Sequence, residues 1–197
     1  MRDYQPMASF SLAQSGACAL TRPAPNTVTL DSPALDVMTD LAQVAAVTID
    51  PGVSIQAAND YMIARAVRSL FVTAADGHVV GLVTTTDILG ERPVRVSHAR
   101  GVKRNELVVS DVMTPIESVV AMRIEDVRAA KVGHVVASLK QAGRHHELVA
   151  EIQPKGPARI RGIFSASQIA RQLGVPLQIT ELASTFAEIE QALTESR

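Results

Sequence analysis

The chain repeats itself, and this repetition constrains its fold more than any other feature. The tetrapeptide Asp36–Thr39 (Asp-Val-Met-Thr) recurs at Asp111–Thr114, 75 positions later (111 − 36). The run Gly81–Ile88 recurs in outline at Gly162–Ile169, 81 positions later (162 − 81). Two landmarks in the same order predict two halves with one plan, and the second half carries a net insertion of six residues (81 − 75).

In the first half, turn residues and apolar periodicity predict alternating strands and helices. Ser54 is a plausible helix N-cap, and Asp76-Gly77 between two apolar runs is a strong hairpin signal. The predicted elements are a strand in Val44–Ile49, a turn at Asp50–Gly52, a helix with Ile55, Ala58 and Met62 on one face, strands around Leu70–Val72 and Val79–Val83, and a short helix from Thr85.

The second half follows the same order with a clearer helix. Its apolar residues Val132, Val135, Val136 and Leu139 recur at the spacing of one helical face, and Gly143 stands where a C-terminal cap belongs. Apolar strands are predicted at Val119–Ala121, Leu148–Ala150 and Arg159–Phe164, and the connection Gln153–Pro157 is expected to contain the extra residues. Each half is therefore predicted to be β-α-β-β-α.

These patterns divide the chain into five parts of a mixed α+β protein. We expect an N-terminal arm at 1–33, a first repeat at 34–91, a surface connector at 92–106, a second repeat at 107–174 and a C-terminal amphipathic helix at 175–197. The arm, with Pro23, Pro25 and Pro33, is extended enough to contribute an edge strand. The helix carries apolar residues in steps of three and four, at Ile179, Leu182, Phe186, Ile189 and Leu193, which favour either folding back or pairing with a second copy.

Composition excludes several classes of protein. The 197 residues are 47% hydrophobic, which suits a compact globular chain, and the net charge of −1 offers no basic field for nucleic acid or for a membrane surface. Aromatic residues make up 3% and Trp is missing, so base-stacking platforms are not expected. The single Cys18 forms no disulfide framework, and no run approaches a membrane span or a signal peptide. We therefore expect a cytoplasmic protein.

The doubled motifs resemble those of a tandem pair of cystathionine-β-synthase-type (CBS) repeats, also called a Bateman module. The resemblance covers about Asp36 to Gly174 and rests on the doubled Val-Met-Thr opening, the β-α-β-β-α order and the closing Gly-h-h-Thr/Ser-x-x-Asp motif, where h is apolar. It implies two repeats related by a pseudo-two-fold axis, clefts that bind AMP, ADP, ATP or S-adenosylmethionine, and pairing of two modules into a homodimer.

Within this resemblance, Thr84 and Asp87 are the leading candidates for ligand contacts. A Thr hydroxyl at a strand-to-helix junction can hydrogen-bond a phosphate or ribose oxygen, and an Asp on the first helical turn can accept from both ribose hydroxyls. The resemblance also suggests that Thr39 and the backbone near Val47 border the adenine pocket. The competing interpretation is a capping box, in which the same two side chains satisfy only backbone N–H groups.

The second copy of the motif departs from the family pattern. Ser165 and Gln168 still suit a capping box, but Gln168 supplies no carboxylate for a ribose. We therefore expect the second site, with Ser165 as a weak ligand contact, to be empty or weak.

Other residues offer little catalytic chemistry. His145 and His146 are adjacent on a predicted strand and point to opposite faces, so metal binding is not expected. The basic connector, with Arg92, Arg95, Arg100, Lys103 and Arg104, is either a solvated loop or a source of phosphate contacts. No phosphate-binding glycine loop or nucleophile elbow is visible.

The leading hypothesis is a non-enzymatic module that senses an adenosine-containing nucleotide and signals to an effector protein in trans. The alternative is a ligand-independent interaction protein whose repeats only build a dimer. An enzyme acting on nucleotides is the weakest of the three hypotheses, because no acid–base or metal set is visible.

Overall fold

The computed structural model describes residues 5–12, 16, 18–21 and 28–177. The apolar seam predicted for the C-terminal helix, from Ile179 onward, lies outside the described residues. Of that predicted helix only Val175, Pro176 and Leu177 are described, and Leu177 packs against the core of the second half.

The first half follows the predicted β-α-β-β-α order from the strand at Thr48–Ile49 onward, preceded by a 3-10 helix at Ala34–Val37 and by a strand at Thr39–Asp40 that the sequence did not predict. Its elements are β1 (Thr39–Asp40), β2 (Thr48–Ile49), α1 (Ile55–Ala64), β3 (Ser69–Thr73), β4 (Val79–Thr84) and α2 (Thr85–Leu89). Ser54 caps α1 as predicted, since its side chain accepts from Ala57 N–H, and Ile55, Ala58 and Met62 are buried. The β3–β4 hairpin turns at Gly77, whose φ of +83° suits glycine.

The second half repeats this order with one additional helix. Its elements are α4 (Val109–Val112), β5 (Thr114–Pro115), a 3-10 helix at Ile116–Ser118, β6 (Ala121–Arg123), α5 (Ile124–Ala129), α6 (Val132–Ala142), β7 (His146–Glu151), β8 (Arg159–Ser165) and α7 (Ala166–Leu173). The four valine and leucine residues expected on one face of α6 are buried, and α6 ends at Gly143 in the left-handed conformation, as predicted.

The two halves exchange their first strands. One sheet has the order β2-β3-β4-β5 and the other β1-β8-β7-β6. Thus β1 of the first half pairs antiparallel with β8 of the second, and β5 of the second half pairs antiparallel with β4 of the first. Asp40 on β1 also forms an ion pair with Arg161 on β8. Each sheet therefore contains strands from both halves.

The core follows the same exchange. The segment before β1 contributes Ala34 and Val37 to the core of the second half, and the segment before β5 contributes Val109 and Val112 to the core of the first. A smaller cluster joins residues of both sheets, namely Phe71, Leu82, Leu148 and Ile163. Burial of these residues fixes the two halves against each other, which positions the clefts at their junction.

The extra residues of the second half lie in two places, of which the sequence indicated one. The strand register pairs Val72 with Gly81 and Val149 with Gly162, so the second hairpin is four residues longer (162 − 149 against 81 − 72). The remainder lies before α6, where α5 has no counterpart in the first half. The predicted location in Gln153–Pro157 therefore explains only part of the insertion.

The connector is helical where the sequence suggested a surface loop. Residues 92–100 form α3 (Arg92–Arg100), with Pro93 buried in its first turn, and a 3-10 helix follows at Arg104–Glu106. Proline is tolerated in a first turn because no intrahelical partner is required there. Val96 and Val102 pack against the core of the first half, which explains why this segment is ordered as a helix.

The arm docks through residues 28–33, and its described residues form no strand. The N–H groups of Val132 and Gly133 donate to the carbonyls of Ser32 and Leu30, and Pro33 makes a single bridge with Lys131. Lys131 also pairs with Asp31 at 2.8 Å. Residues 28–33 therefore hold the N-terminus of α6, and within the described part of the arm the expected edge strand is reduced to that one bridge.

Candidate functional site

Two cavities open at the junction of the halves, and each is lined by both of them. The first has a volume of about 290 Å³. From the first half it takes the end of β4 and the start of α2, with Thr84, Thr86 and Asp87, and from the second half the residues before β6 and before β7. The remaining lining residues are Leu82, Arg92, Thr114, Ser118, Val119, Val120, Gly143, Arg144, His145, His146 and Leu148.

Thr84 and Asp87 form a complete capping box at the start of α2. Asp87 Oδ2 accepts from the Thr84 N–H at 2.8 Å and from the Thr84 hydroxyl at 2.7 Å. The Asp87 N–H donates to Thr84 Oγ1 at 3.3 Å. The capping interpretation is therefore realised in this structure. The motif also faces the cavity, so capping and ligand contact are compatible uses of the same side chains.

The second oxygen of Asp87 is held by Arg92. Arg92 Nη1 lies 3.0 Å from Asp87 Oδ1, and the same nitrogen donates to the Val112 carbonyl at 2.7 Å and lies 3.3 Å from Thr114 Oγ1. Arg92 thus ties the motif of the first half to the doubled tetrapeptide of the second. A ligand that uses Asp87 Oδ1 has to share it with Arg92 or displace Arg92.

The second cavity is the counterpart of the first and is larger, with a volume of about 520 Å³. From the second half it takes the end of β8 and the start of α7, with Ser165, Ser167, Gln168 and Arg171. From the first half it takes residues before β2 and before β3: Val44, Ala45, Ala46, Val47, Ala66, Val67, Arg68 and Ser69. Thr39, Leu41, Phe71, His146 and Ile163 complete the wall.

The motif of the second cavity is not a capping box, contrary to the sequence expectation. Ser165 makes no side-chain cap on α7, and its hydroxyl lies 3.1 Å from that of Ser167. Gln168 Oε1 instead accepts from the Thr39 hydroxyl at 3.3 Å. The Gln168 side chain thus contacts Thr39 of the first tetrapeptide. The carboxylate of Asp87, at the equivalent position, instead contacts the backbone N–H of Thr84 in its own motif.

His146 forms part of the wall of both cavities. Burial, followed by the neighbouring charges of His145 and Arg68, lowers the pKa of His146 to about 4. The imidazole is therefore neutral near pH 7. The next residue, Glu147, is buried, and burial raises the pKa of its carboxyl against the opposing effect of Arg144 at 3.9 Å.

The comparisons with known proteins identify the first repeat. The family model described as the CBS domain matches residues 34–93, which hold that repeat. Residues 34–93 are a CBS domain. The second half has the same strand and helix order and contributes an equivalent sheet, so the fold is that of a tandem pair of CBS-type repeats. No curated protein shows a significant match.

Solved structures of other proteins are similar to this chain, one of them with a TM-score above 0.5. An uncharacterized conserved protein from Pyrococcus horikoshii is 24% identical, with a TM-score of 0.54 over 77% of this chain and 98% of that one. A CBS-domain containing protein from Agrobacterium tumefaciens is 24% identical over 67% of this chain and 88% of that one, with a TM-score of 0.49. The CBS-pair protein CBSX2 from Arabidopsis thaliana is 21% identical over 73% and 94%, with a TM-score of 0.46. The first likeness establishes the fold alone.

The CBS pair distributes the candidate ligand residues over both cavities. Thr84 and Asp87 line the first cavity. Thr39, Val47 and Ser165 line the second. The sequence grouped Thr39 and Val47 with Asp87, but the exchange of strands places them beside Gln168. Their role as ligand contacts stays a prediction.

Three residues that line the two clefts are not predicted as cleft residues from the sequence. Arg68 is the residue before β3, and His145 is the equivalent residue before β7. Arg68 lines the second cleft and His145 lines the first. Arg171 follows Gln168 by three residues on α7, which places both on one helical face, and this spacing was the available signal. The location of His146 between the clefts had no signal in the sequence, because it depends on packing of one sheet against the other.

Two further searches concern metals and membranes. In the part of the chain that the structure describes, no three His, Cys, Asp or Glu side chains come together in a way that could hold a metal ion. Among the described helices, none has the length and apolar character to cross a bilayer.

Proposed function

We propose that this CBS pair senses an adenosine-containing nucleotide in the first cleft and signals its occupancy, without catalysis, to an effector protein in trans. The observation that carries the proposal is that one cleft, with walls from both repeats, presents Thr84 and the carboxylate of Asp87 together. A ribose has two adjacent hydroxyls, and a carboxylate can accept a hydrogen bond from each of them. Charge-assisted hydrogen bonds of this kind contribute about 1.5–3 kcal/mol each.

The remaining walls of the first cleft suit the rest of such a ligand. Leu82, Val119, Val120 and Leu148 provide apolar surface for a base, and Arg144 provides a positive charge. A volume of about 290 Å³ is near the lower end of small-molecule sites. The class AMP, ADP or ATP fits these features, and S-adenosylmethionine shares the adenosine part.

The signal follows from the position of the cleft. A ligand in this cleft contacts α2 of the first repeat and the residues before β6 and β7 of the second repeat. Such a ligand favours one angle between the two repeats. Asp87 is engaged by the Thr84 cap and by Arg92, which supports a binding role over proton transfer. We expect the output to pass through a homodimer to a partner protein.

A second candidate function is a dimeric interaction protein that needs no ligand. The observation in its favour is that both Asp87 oxygens are satisfied within the chain, one by the capping box and one by Arg92. In that case the motif serves stability alone.

Calorimetric titration of adenosine, AMP and ATP into the wild type and into Asp87→Asn separates the two functions. Asparagine keeps the shape and an oxygen for the cap but removes the charge. Under the sensing proposal, adenosine affinity falls by about 1.5–3 kcal/mol, or roughly ten- to a hundredfold, while thermal stability falls only by the modest amount that loss of the Asp87–Arg92 ion pair costs. Equal adenosine affinity in both proteins, or no adenosine-containing ligand bound by the wild type at millimolar concentration, would leave the interaction protein as the better account.

A further inference from the structure

The connector between the two repeats is held by arginines that reach both of them. Arg92, at its start, contacts the first cleft. Arg100 pairs with Asp111 on α4, and Arg104 Nη2 donates to the Ile88 carbonyl in the last turn of α2 at 2.9 Å. The connector thus uses three of its five Arg and Lys side chains for contacts within the chain.

In the described part of the chain, α3 buries little apolar surface. Pro93 is buried in its first turn and Val96 is partly buried against the first-half core, but Val94 is 65% exposed. An element with few buried apolar contacts opens at a small free-energy cost. The arginine contacts therefore supply a large share of what holds α3 in place.

The contact at the start of α3 ends on the leading ligand residue. Arg92 Nη1 lies 3.0 Å from Asp87 Oδ1 and donates to the Val112 carbonyl at 2.7 Å. The side chain of Asp87 is only 14% exposed, so water screens this ion pair weakly. A ribose hydroxyl that donates to Oδ1 weakens the hold of Asp87 on Arg92, because one carboxylate oxygen then serves two donors.

The second repeat has no equivalent contact among the described residues. Gln168, the counterpart of Asp87, is uncharged and accepts from Thr39. Asp36, the counterpart of Asp111, is exposed and forms no ion pair with another described residue. The connector is therefore tied to the motif of the first cleft and not to that of the second.

We propose that α3 reports whether the first cleft is occupied, with Arg92 as the positioning residue. A ligand that takes Asp87 Oδ1 loosens the first turn of α3 and with it the exposed side chain of Val94. The inference rests on the proposed function, and it adds the element that passes the occupancy on. Because coupling is reciprocal, the factor by which Arg92 weakens adenosine binding is also the factor by which adenosine weakens the Arg92 contact.

Hydrogen exchange of the full chain, with and without saturating adenosine, tests the proposal. Amides in the first turns of α3, such as that of Arg95, which donates to the Glu91 carbonyl, should exchange about two- to fivefold faster with adenosine. The amides of Thr84 and Asp87 should exchange no faster, and those of α6 should not change. A purely structural role for Arg92 would leave α3 exchange independent of adenosine.

Three variants sharpen the test. Arg92→Gln should show the faster α3 exchange without ligand and no further increase with adenosine. Arg92→Lys keeps a charge that can reach Asp87 and should restore part of the response. Asp111→Asn is the matched control: it frees Arg100 at the other end of α3, while the asparagine oxygen can still accept from the Val108 N–H, so the response of the first turn should persist.

Calorimetry on the same samples separates this inference from the proposed function. If adenosine binds but α3 exchanges at the same rate or more slowly, the inference is overturned and the proposed function stands. If ligand-free Arg92→Gln exchanges as the wild type does, Arg92 does not hold α3 and the inference is again overturned. If adenosine does not bind, the proposed function fails, and a faster α3 in Arg92→Gln would then identify a contact that is structural only.

Discussion

Met113 packs directly on Gly81. A β-carbon at Gly81 would lie 2.7 Å from the Met113 sulfur and 2.8 Å from the Thr114 carbonyl oxygen. The reciprocal contact places the Met38 sulfur 2.6 Å from a β-carbon at Gly162. The two motifs that repeat in the sequence are thus in contact, each methionine with the glycine of the other half. This contact accounts for why the motifs occur together.

Gly81→Ala should therefore destabilise the protein by roughly 1–3 kcal/mol, because the Thr114 carbonyl is a backbone group of β5 and cannot withdraw without moving that strand. Thermal unfolding followed by circular dichroism measures the loss. Gly133→Ala is the control: its nearest heavy atom, the Leu30 carbonyl oxygen, is 3.3 Å away and alanine favours the α6 helix, so its loss of stability should be clearly smaller than that of Gly81→Ala. Equal melting temperatures for Gly81→Ala and the wild type would contradict the packing argument.

The two helix starts predict different responses to loss of a hydroxyl. Thr84→Ala removes a complete capping box and should cost about 1 kcal/mol of unfolding free energy. Ser165→Ala removes no cap, and its effect should stay within about 0.5 kcal/mol. Urea denaturation of both variants checks the difference, and a larger loss for Ser165→Ala would mean that the α7 start is capped in solution.

Arg92 is expected to compete with the ribose. Arg92→Gln frees Asp87 Oδ1, so the affinity for adenosine, which has no phosphate for Arg92 to attract, should rise about two- to fivefold. Arg95→Gln, on the exposed side of the same helix, should leave adenosine affinity unchanged. A fall in adenosine affinity in Arg92→Gln would instead make Arg92 part of the ligand site.

His146 should make stability depend on pH. Its folded pKa of about 4 lies below the unfolded value of 6.5, so between these values the unfolded chain binds more protons and stability is lost as the pH falls. The shift corresponds to roughly 2 kcal/mol once partial exposure of the imidazole is allowed for.

His146→Gln should remove the part of the stability loss between pH 6.5 and pH 4 that protonation of His146 causes. Chemical denaturation at pH 7 and pH 4.5 in the wild type and the variant isolates the His146 contribution, because Glu147 affects both proteins alike. His98→Gln, exposed on α3, serves as the control and should follow the wild type. If His146→Gln loses as much stability on acidification as the wild type does, the buried imidazole is not the cause.

The sequence predicted those features whose signals are local. Ser54 and Gly143 mark helix ends by their own backbone chemistry, and Asp76-Gly77 marks a hairpin by its turn type. The helix α5 was missed because Ile124–Ala129 is too short to show a full period. The connector was taken for a loop because its charges hide the few apolar residues, such as Val96, that hold α3 to the core.

The composition of each cleft could not be predicted in the same way. Thr84 and Asp87 were found because the motif is contiguous, but their neighbours Val119 and His146 come from the other half. The exchanged strands β1 and β5 are each two residues long, and so short a segment does not specify its partner strand. The partner of β1 at Ile163 is more than a hundred residues away in the chain. Tertiary packing decides which repeat supplies each wall.

The exchanged strands also bear on how the chain folds during synthesis. The sheet of the first half can close as soon as β5 has been made, at residue 115, but β1 has no partner until β8 has been made, at residue 165. Until then Ala34, Val37 and Met38 stay without their core, and an isolated first half would have an open edge at β4. Two such fragments could satisfy each other by swapping strands, so a truncated chain is expected to pair with another copy of itself. The second sheet therefore depends on nearly the whole described chain being made, whereas the first needs the chain only as far as residue 115.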